Sequence, residues 1–255
     1  MWIDTHCHLN DPDFEADCPT VVAGALQAGV ERLIVAGYDL DSSRRALELA
    51  RLYEPVYAAV GIHPHDAKTW NETIAAELRE MLTGEKVVGL GEIGLDYHYN
   101  YSSKEEQLRA FREQLQIAKS VDKPVIIHNR EAHHDTLQVL TEVKPGPAGG
   151  VLHCFAGSRE TALSCLALGL YISFAGPLTF TNANKLRQVA AGLPLEKILV
   201  ETDSPYLSPH PLRGERNEPA RVGLVGAKLA ELHGITVEEV QKITTDNARG
   251  LFRIV

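Results

Sequence analysis

The sequence predicts a (β/α)8 barrel, on three observations. Eight short β-branched or apolar runs recur along 255 residues, each followed by a stretch with helical period. The runs are too short for helices and too apolar for exposed edges, so they read as strands buried on both faces of a parallel sheet. The competing architecture, an open doubly wound sheet, finds no support in a GxGxxG or Walker-type loop. No repeat, low-complexity tract or linker divides the chain, which reads as one domain over residues 1–255.

The first run, Trp2–Thr5, leads into His6, Cys7 and His8. Alternation along an extended strand turns His6 and His8 to one face and Cys7 to the other. With the histidines inward, Cys7 meets the helix layer as a small hydrophobe. The same parity puts Asp4 on the histidine side, to orient an imidazole or to stand as a buried structural carboxylate. A helix over 17–28 returns the chain to the second run, Arg32–Ala36, and a helix over 42–53 leads to the third, Val56–Val60. That run enters GIHPH, which brings His63 and His65, and a helix over 71–83 follows. The fourth run, Lys86–Leu90, enters GEIGLD with Glu92 and Asp96. Ser103 and Glu106 then make a capping-box pattern, and Leu108, Phe111, Leu115 and Ala118 fall on one helical face.

The fifth run, Pro124–Ile127, ends in His128 and Arg130 before a helix over 133–143. The sixth, Gly150–Leu152, ends in His153 and Cys154, the histidine inward and the cysteine outward by parity; a helix over 159–168 follows. Leu170–Phe174 and a helix over 183–191 precede the eighth run, Ile198–Glu201, which enters ETDSPYL with Glu201 and Asp203 on one parity. Helices over 218–233 and from Thr236, where Thr236 and Glu239 repeat the box, close the chain.

In a barrel of this kind the active site gathers at the C-terminal ends of the strands. A single histidine there is more often a hydrogen-bonded core or surface residue than a ligand, HxH alone is weak, and acids near a helix start are often caps. Jointly that ordinary reading fails. His6, His8, Glu92, His128, His153 and Asp203 converge on one rim, where unpaired buried charge would be costly. Bound cations remove the cost, so the rim reads as a metal centre.

Composition narrows the rest. The 44% hydrophobic content suffices for a packed core, and no run of about 18 apolar residues suggests a membrane span. No basic region followed by an apolar stretch opens the chain, so a cytoplasmic protein is expected. Its four cysteines lack CxxC spacing and are expected as free thiols. A net charge of −9 without a dense Lys/Arg run argues against an obligate duplex-DNA binder. Any nucleic-acid contact is then local and short, with bound metal supplying part of the positive charge. No coiled-coil pattern appears, and a monomer is expected.

IDTHCH, GIHPH, GEIGLDYH, VIIHNR, HCFAGS, ETDSPYL and RNEP, in this order and spanning nearly the whole chain, resemble the signature blocks of the TatD-type metal-dependent deoxyribonucleases of the amidohydrolase superfamily. The resemblance implies two divalent ions, Mg²⁺, Mn²⁺ or Zn²⁺. His6, His8 and Asp203 would hold one, His128 and His153 the other, and Glu92 would bridge. It implies 3′-to-5′ cleavage of single-stranded DNA and a place in DNA degradation or repair. Asp203 is the expected general base for an activated water. His63 and His65 resemble residues that contact the scissile phosphate, His65 alternatively being a loop cap behind Pro64. Arg130, sharing parity with His128, is in reach of a phosphate oxygen or of an acid on the next helix. Glu201 supports the site or contacts His63. Arg213, Arg216 and Asn217, in LRGERNEP, are the last loop's candidates for phosphate. Since fold does not settle substrate, two alternatives stand: hydrolysis of another bond, such as the ester of a misacylated tRNA, and a metal- or partner-binding role without catalysis. The complete ligand set argues against the last.

Overall fold

A computed structural model describes residues 1–254. Eight strands form one sheet in the order β1 to β8, every neighbouring pair parallel. They are β1 (Trp2–Cys7), β2 (Val30–Ala36), β3 (Val56–Val60), β4 (Val87–Asp96), β5 (Val125–Arg130), β6 (Gly150–Leu152), β7 (Tyr171–Phe174) and β8 (Ile198–Val200). Helices α1 (Cys18–Gln27), α2 (Leu40–Leu52), α3 (Glu72–Met81), α4 (Lys104–Ser120), α5 (His133–Val143), α6 (Arg159–Ala167) and α7 (Asn184–Ala191) alternate with them, and α8 (Val222–His233) and α9 (Val237–Phe252) follow β8. The first and last strands meet through Thr5 Oγ1 to the Val200 carbonyl (3.0 Å), Asp203 N–H to His6 O (2.9 Å) and His8 N–H to Ser204 O (2.7 Å). The expected (β/α)8 barrel is the observed fold.

Two apolar layers hold it. Inside, Ile3, Ile34, Ala59, Val88, Ile126, Val151 and Leu199 pack together and are stoppered at the N-terminal end by Ala248, Leu251 and Phe252 of α9. Outside, Cys7, Leu33, Val35, Leu90, Ile127 and Leu152 pack under the helices. Both predicted capping boxes form. Ser103 N–H donates to Glu106 Oε2 (2.7 Å) and Glu106 N–H to Ser103 Oγ, while Thr236 and Glu239 repeat the pair. Each cap is worth about 1 kcal/mol.

β4 and β5 run past the expected ends, by six and three residues. Gly94 pairs with His128 and Asp96 with Arg130, so backbone pairing continues where apolar character stops. Gly94 permits it. It lies at φ +141°, and a Cβ there would stand 2.0 Å from the His128 carbonyl oxygen. Glu92 and His128 are thus carried on paired strands. No helix among the described residues is long and apolar enough to cross a membrane.

Candidate metal centre

β1 delivers His6 and His8 together. Their Nε2 atoms are 3.0 Å apart, while Cys7 is buried in the outer layer with its thiol toward the Ile34 carbonyl. The parity argument therefore holds for these three residues. Alternation breaks before them, where the pairing of β1 with β2 slips between Asp4 and Cys7, so of its two expected roles Asp4 takes that of a buried structural carboxylate. Asp4 touches no imidazole. It accepts from Thr202 N–H (2.9 Å) and Thr202 Oγ1 (2.5 Å), and more weakly from His6 N–H, tying β1 to the segment after β8.

Burial pushes the Asp4 carboxyl up to about 8, against the lowering effect of the Thr202 donors. The folded chain therefore holds a proton that the unfolded chain releases near pH 4. Stability contributed at Asp4 falls as pH rises from about 4 through about 8. Asp4→Asn is expected to flatten the fall in Tm between pH 5 and 8 relative to wild type. Parallel Tm–pH curves for the two proteins would refute this.

Glu92 stands at the middle of the centre. Oε2 faces His6 Nε2 (3.4 Å) and His8 Nε2 (3.6 Å); Asp203 Oδ1 faces the same two nitrogens at 3.6 and 3.4 Å. Oε1 faces the other way, 2.7 Å from His128 Nδ1, 2.8 Å from His153 Nε2 and 3.5 Å from His63 Nε2, with the His128 and His153 nitrogens 3.3 Å apart. Donor atoms about 2.0–2.1 Å from a four-coordinate ion stand about 3.3–3.4 Å from one another. In the first set the two imidazole nitrogens stand at hydrogen-bond distance, 3.0 Å, while the four nitrogen–carboxylate spacings of 3.4–3.6 Å are long for hydrogen bonds and suit the edges of such a polyhedron. The groups His6–His8–Asp203, His6–Glu92–His153 and His63–Glu92–His128 each have the reach to hold an ion.

The electrostatics agree with this arrangement. Burial opposes ionisation of Glu92, yet the surrounding imidazoles of His153, His63 and His6 hold its carboxyl well below the usual range. Burial likewise opposes protonation of His8, His128 and His153, but their carboxylate neighbours outweigh it and raise all three. Burial and His128 push His63 down to about 4, leaving a neutral imidazole. Buried acceptors and protonated donors alternate through the cluster, and a cation would take the place of those protons.

The groups behind the imidazoles orient them. His8 Nδ1 meets the Ala36 carbonyl (3.1 Å), His153 Nδ1 meets Glu201 Oε1 (3.2 Å), and His128 Nε2 meets Asp96 Oδ2 (3.1 Å). Such contacts select the tautomer and aim the other nitrogen. Asp203 lies at φ +56°, a conformation a non-glycine residue rarely adopts. The bonds of Asp203 N–H to His6 O and Tyr206 N–H to Asp203 O hold it there. The carboxylate lines an open cavity of about 580 Å³ with His8, His63, His65, Glu92, Asp96, His128, Arg130 and His153, and Tyr38, Tyr99, Tyr206 and Leu207 close its sides.

Several expectations need correction. Glu201 takes the first of its two expected roles, supporting the site: it is fully buried and bonds His153 and Cys154 N–H, and it contacts neither His63 nor the cavity open to substrate. Asn217 is buried too, its amide donating to the Thr202 and Tyr206 carbonyls to brace the loop that carries Asp203. Arg213 lies over the Phe180 ring outside the cavity lining, and Arg216 is held by Asp17 and Glu218. Both sit beyond β8, where strand parity says nothing and loop contacts decide. Cys154 is not turned outward: β6 ends at Leu152 and Cys154 lies at φ +42°. Burial, with Asp203, Glu201 and Glu92 near, pushes its thiol well up, so it offers no ready thiolate. His65 and Arg130 do reach the cavity, His65 through a bond to Asp96 (3.1 Å) and Arg130 over the Tyr99 ring. Asp96 serves two ends: Oδ1 accepts from His98 and Tyr99 N–H and caps the loop, while Oδ2 meets the imidazoles of His65 and His128. Sequence reasoning missed Tyr38 and Tyr99; only the HYNY cluster after Asp96 hinted at the latter.

The family model described as "TatD related DNase" matches residues 3–253. The chain belongs to the TatD-related DNase family. This TatD-family chain is 45% identical over 254 residues to the Bacillus subtilis (strain 168) protein named "Uncharacterized metal-dependent hydrolase YabD", covering all of both. It is 38% identical over 258 residues to the Edwardsiella piscicida "3′-5′ ssDNA/RNA exonuclease TatD", with 99% of each covered. Among solved structures, the Escherichia coli K12 TatD homologue YjjV superposes with a TM-score of 0.94 at 36% identity, over 100% of this chain and 98% of that one. The protein is a metal-dependent hydrolase of the TatD family, acting on ester bonds.

Within the centre, Cys7→Ala is expected to leave metal content unchanged, whereas His6→Ala lowers it. Plasma mass spectrometry on dialysed protein measures both. Equal metal loss in the two variants would contradict the strand assignment.

Proposed function

We propose that this TatD-family hydrolase removes nucleotides from the 3′ end of single-stranded DNA with two divalent ions, Mg²⁺, Mn²⁺ or Zn²⁺. One observation carries the two-ion reading: the Glu92 carboxylate turns its two oxygens to two separate imidazole sets. His6, His8 and Asp203 would hold one ion, His128 and His153 the second, and Glu92 both. When bound, the ions would activate a water, neutralise the phosphodiester and stabilise the leaving oxygen. Asp203, at the cavity wall, takes the proton of the attacking water. His63, neutral and within 3.5 Å of Glu92, and His65 orient the scissile phosphate, and Arg130 pairs with a phosphate oxygen. The cavity sides of Tyr38, Tyr99 and Tyr206 favour an unpaired base, which presents a face to stack. The name of the Edwardsiella relative supports the same polarity and substrate. In this reading residues 1–255 form one catalytic unit, acting as a cytoplasmic monomer in DNA degradation or repair.

The test strips the protein with chelator, reloads it with each divalent ion and supplies 5′-labelled strands with free or blocked 3′ ends. A ladder shortening only from the free 3′ end is the expected result. Cleavage of the blocked strand overturns the polarity. Turnover of an ester panel, misacylated tRNA included, without nucleotide release overturns the nuclease reading.

A further inference from the structure

Tyr99 and Tyr101, on the loop after β4, are among the exposed large side chains, 47% and 58% accessible. They are not loose. Their rings stack at 5.5 Å between centroids, 5° from parallel. His65 stands edge-on to both, at 5.4 and 4.9 Å. Asp96 secures the assembly twice, accepting from Tyr99 N–H and holding His65 Nε2. Ser102, next along the chain, donates to the His65 carbonyl and accepts from Lys68 N–H, which fixes the far end of the loop. An exposed, braced pair of parallel aromatic rings calls for a flat partner.

The surrounding charge is mixed: Asp66 lines the cavity beside His65 and close to Lys68, and two cations stand against the rings themselves. The Arg130 guanidinium lies over Tyr99 at 4.7 Å, and the Lys68 ammonium is 3.4 Å from the Tyr101 carbonyl. The neighbouring acid Glu131 is occupied by His98 at 2.8 Å. Tyr99 and Arg130 also line the catalytic cavity, while Tyr101 stands one ring beyond it. The platform therefore continues the cavity wall outward.

We propose that Tyr99 and Tyr101 form a base-stacking subsite for the part of a single strand that leads away from the scissile phosphate. Arg130 and Lys68 neutralise the backbone beside it. The proposal rests on the nuclease reading and deepens it. It makes recognition depend on strand length, since a fragment too short to extend beyond the cavity leaves Tyr101 uncovered. Stacking tolerates any base, so little sequence preference is expected.

The test uses metal-loaded enzyme and a phosphorothioate strand carrying 2-aminopurine at successive positions, with KM measured on cleavable strands of two to ten nucleotides. Wild type quenches the fluorophore at one or two positions upstream of the terminal nucleotide. Tyr101→Ala loses that quenching and raises KM for the long strands by about fivefold or more, the loss expected for one base stack. Tyr101→Phe, which keeps the ring, retains both. Wild-type quenching and KM in Tyr101→Ala overturn the platform and leave the nuclease reading standing. A wild-type enzyme that neither binds nor shortens any strand overturns both. Metal content and Tm, followed in each variant, separate a binding loss from misfolding.

Discussion

Glu92→Gln is expected to abolish measurable hydrolysis and to weaken divalent-ion binding at both histidine sets at once. Among the described residues, this carboxylate alone faces all of His6, His8, His63, His128 and His153 within 3.6 Å. An amide keeps one acceptor oxygen and no charge, so one set meets an NH2 group in place of a donor oxygen. Loss of a group behind a ligand costs about 10- to 100-fold in affinity, and loss of a shared ligand should exceed about a hundredfold. Isothermal titration of chelated protein with Mn²⁺ or Zn²⁺ measures it, and His8→Ala supplies the contrast, since that residue faces the first set only. If Glu92→Gln still bound one ion with wild-type affinity, the bridging role would be wrong. The binding should also strengthen with rising pH in wild type, because an ion must displace protons that carboxylate neighbours hold on His8, His128 and His153.

Asp203→Asn should retain the fold and most of the metal while losing about 10²- to 10⁴-fold in kcat, the usual contribution of a positioned base. The amide can preserve the backbone bonds that hold residue 203 to His6 and Tyr206. What disappears is the acceptor for the water's proton. Burial would raise this carboxyl, but His8, His6 and His153 hold it below its usual range, so in wild type the base is already deprotonated well into acid. The rising acid limb of the kcat profile should vanish in the variant while KM changes little. Turnover near wild type would remove Asp203 from the base role. Loss of metal in parallel with activity would make it a ligand only.

Much of the centre was legible because strand periodicity is local. His6 and His8 share a face two residues apart and Cys7 takes the other, a relation that any extended segment imposes. The GEIGLD, HNR, HCF and ETD blocks follow apolar runs, so barrel geometry alone assembles Glu92, His128, His153 and Asp203 on one rim. Periodicity misleads where a bulge or a strand end intervenes: at Asp4, before the slip in β1, and at Cys154, past the end of β6, while Arg213, Arg216 and Asn217 lie in a loop past β8 that no strand period describes. Glu201 had the right face, but the side chain is spent on His153.

By itself, the sequence determined the barrel, the inward histidines and a rim of residue types able to hold metal ions, since these follow from short-range alternation and residue type. Tertiary structure alone decided which oxygen of Glu92 meets which imidazole, which carboxylates stand behind His128 and His153, and that Tyr99 and Tyr101 lie braced at the cavity's edge. Those relations join residues on different strands and loops, such as Glu201 with His153 and Asp96 with both His65 and His128. They depend on ångström-scale packing between segments far apart in the chain, which no local pattern encodes.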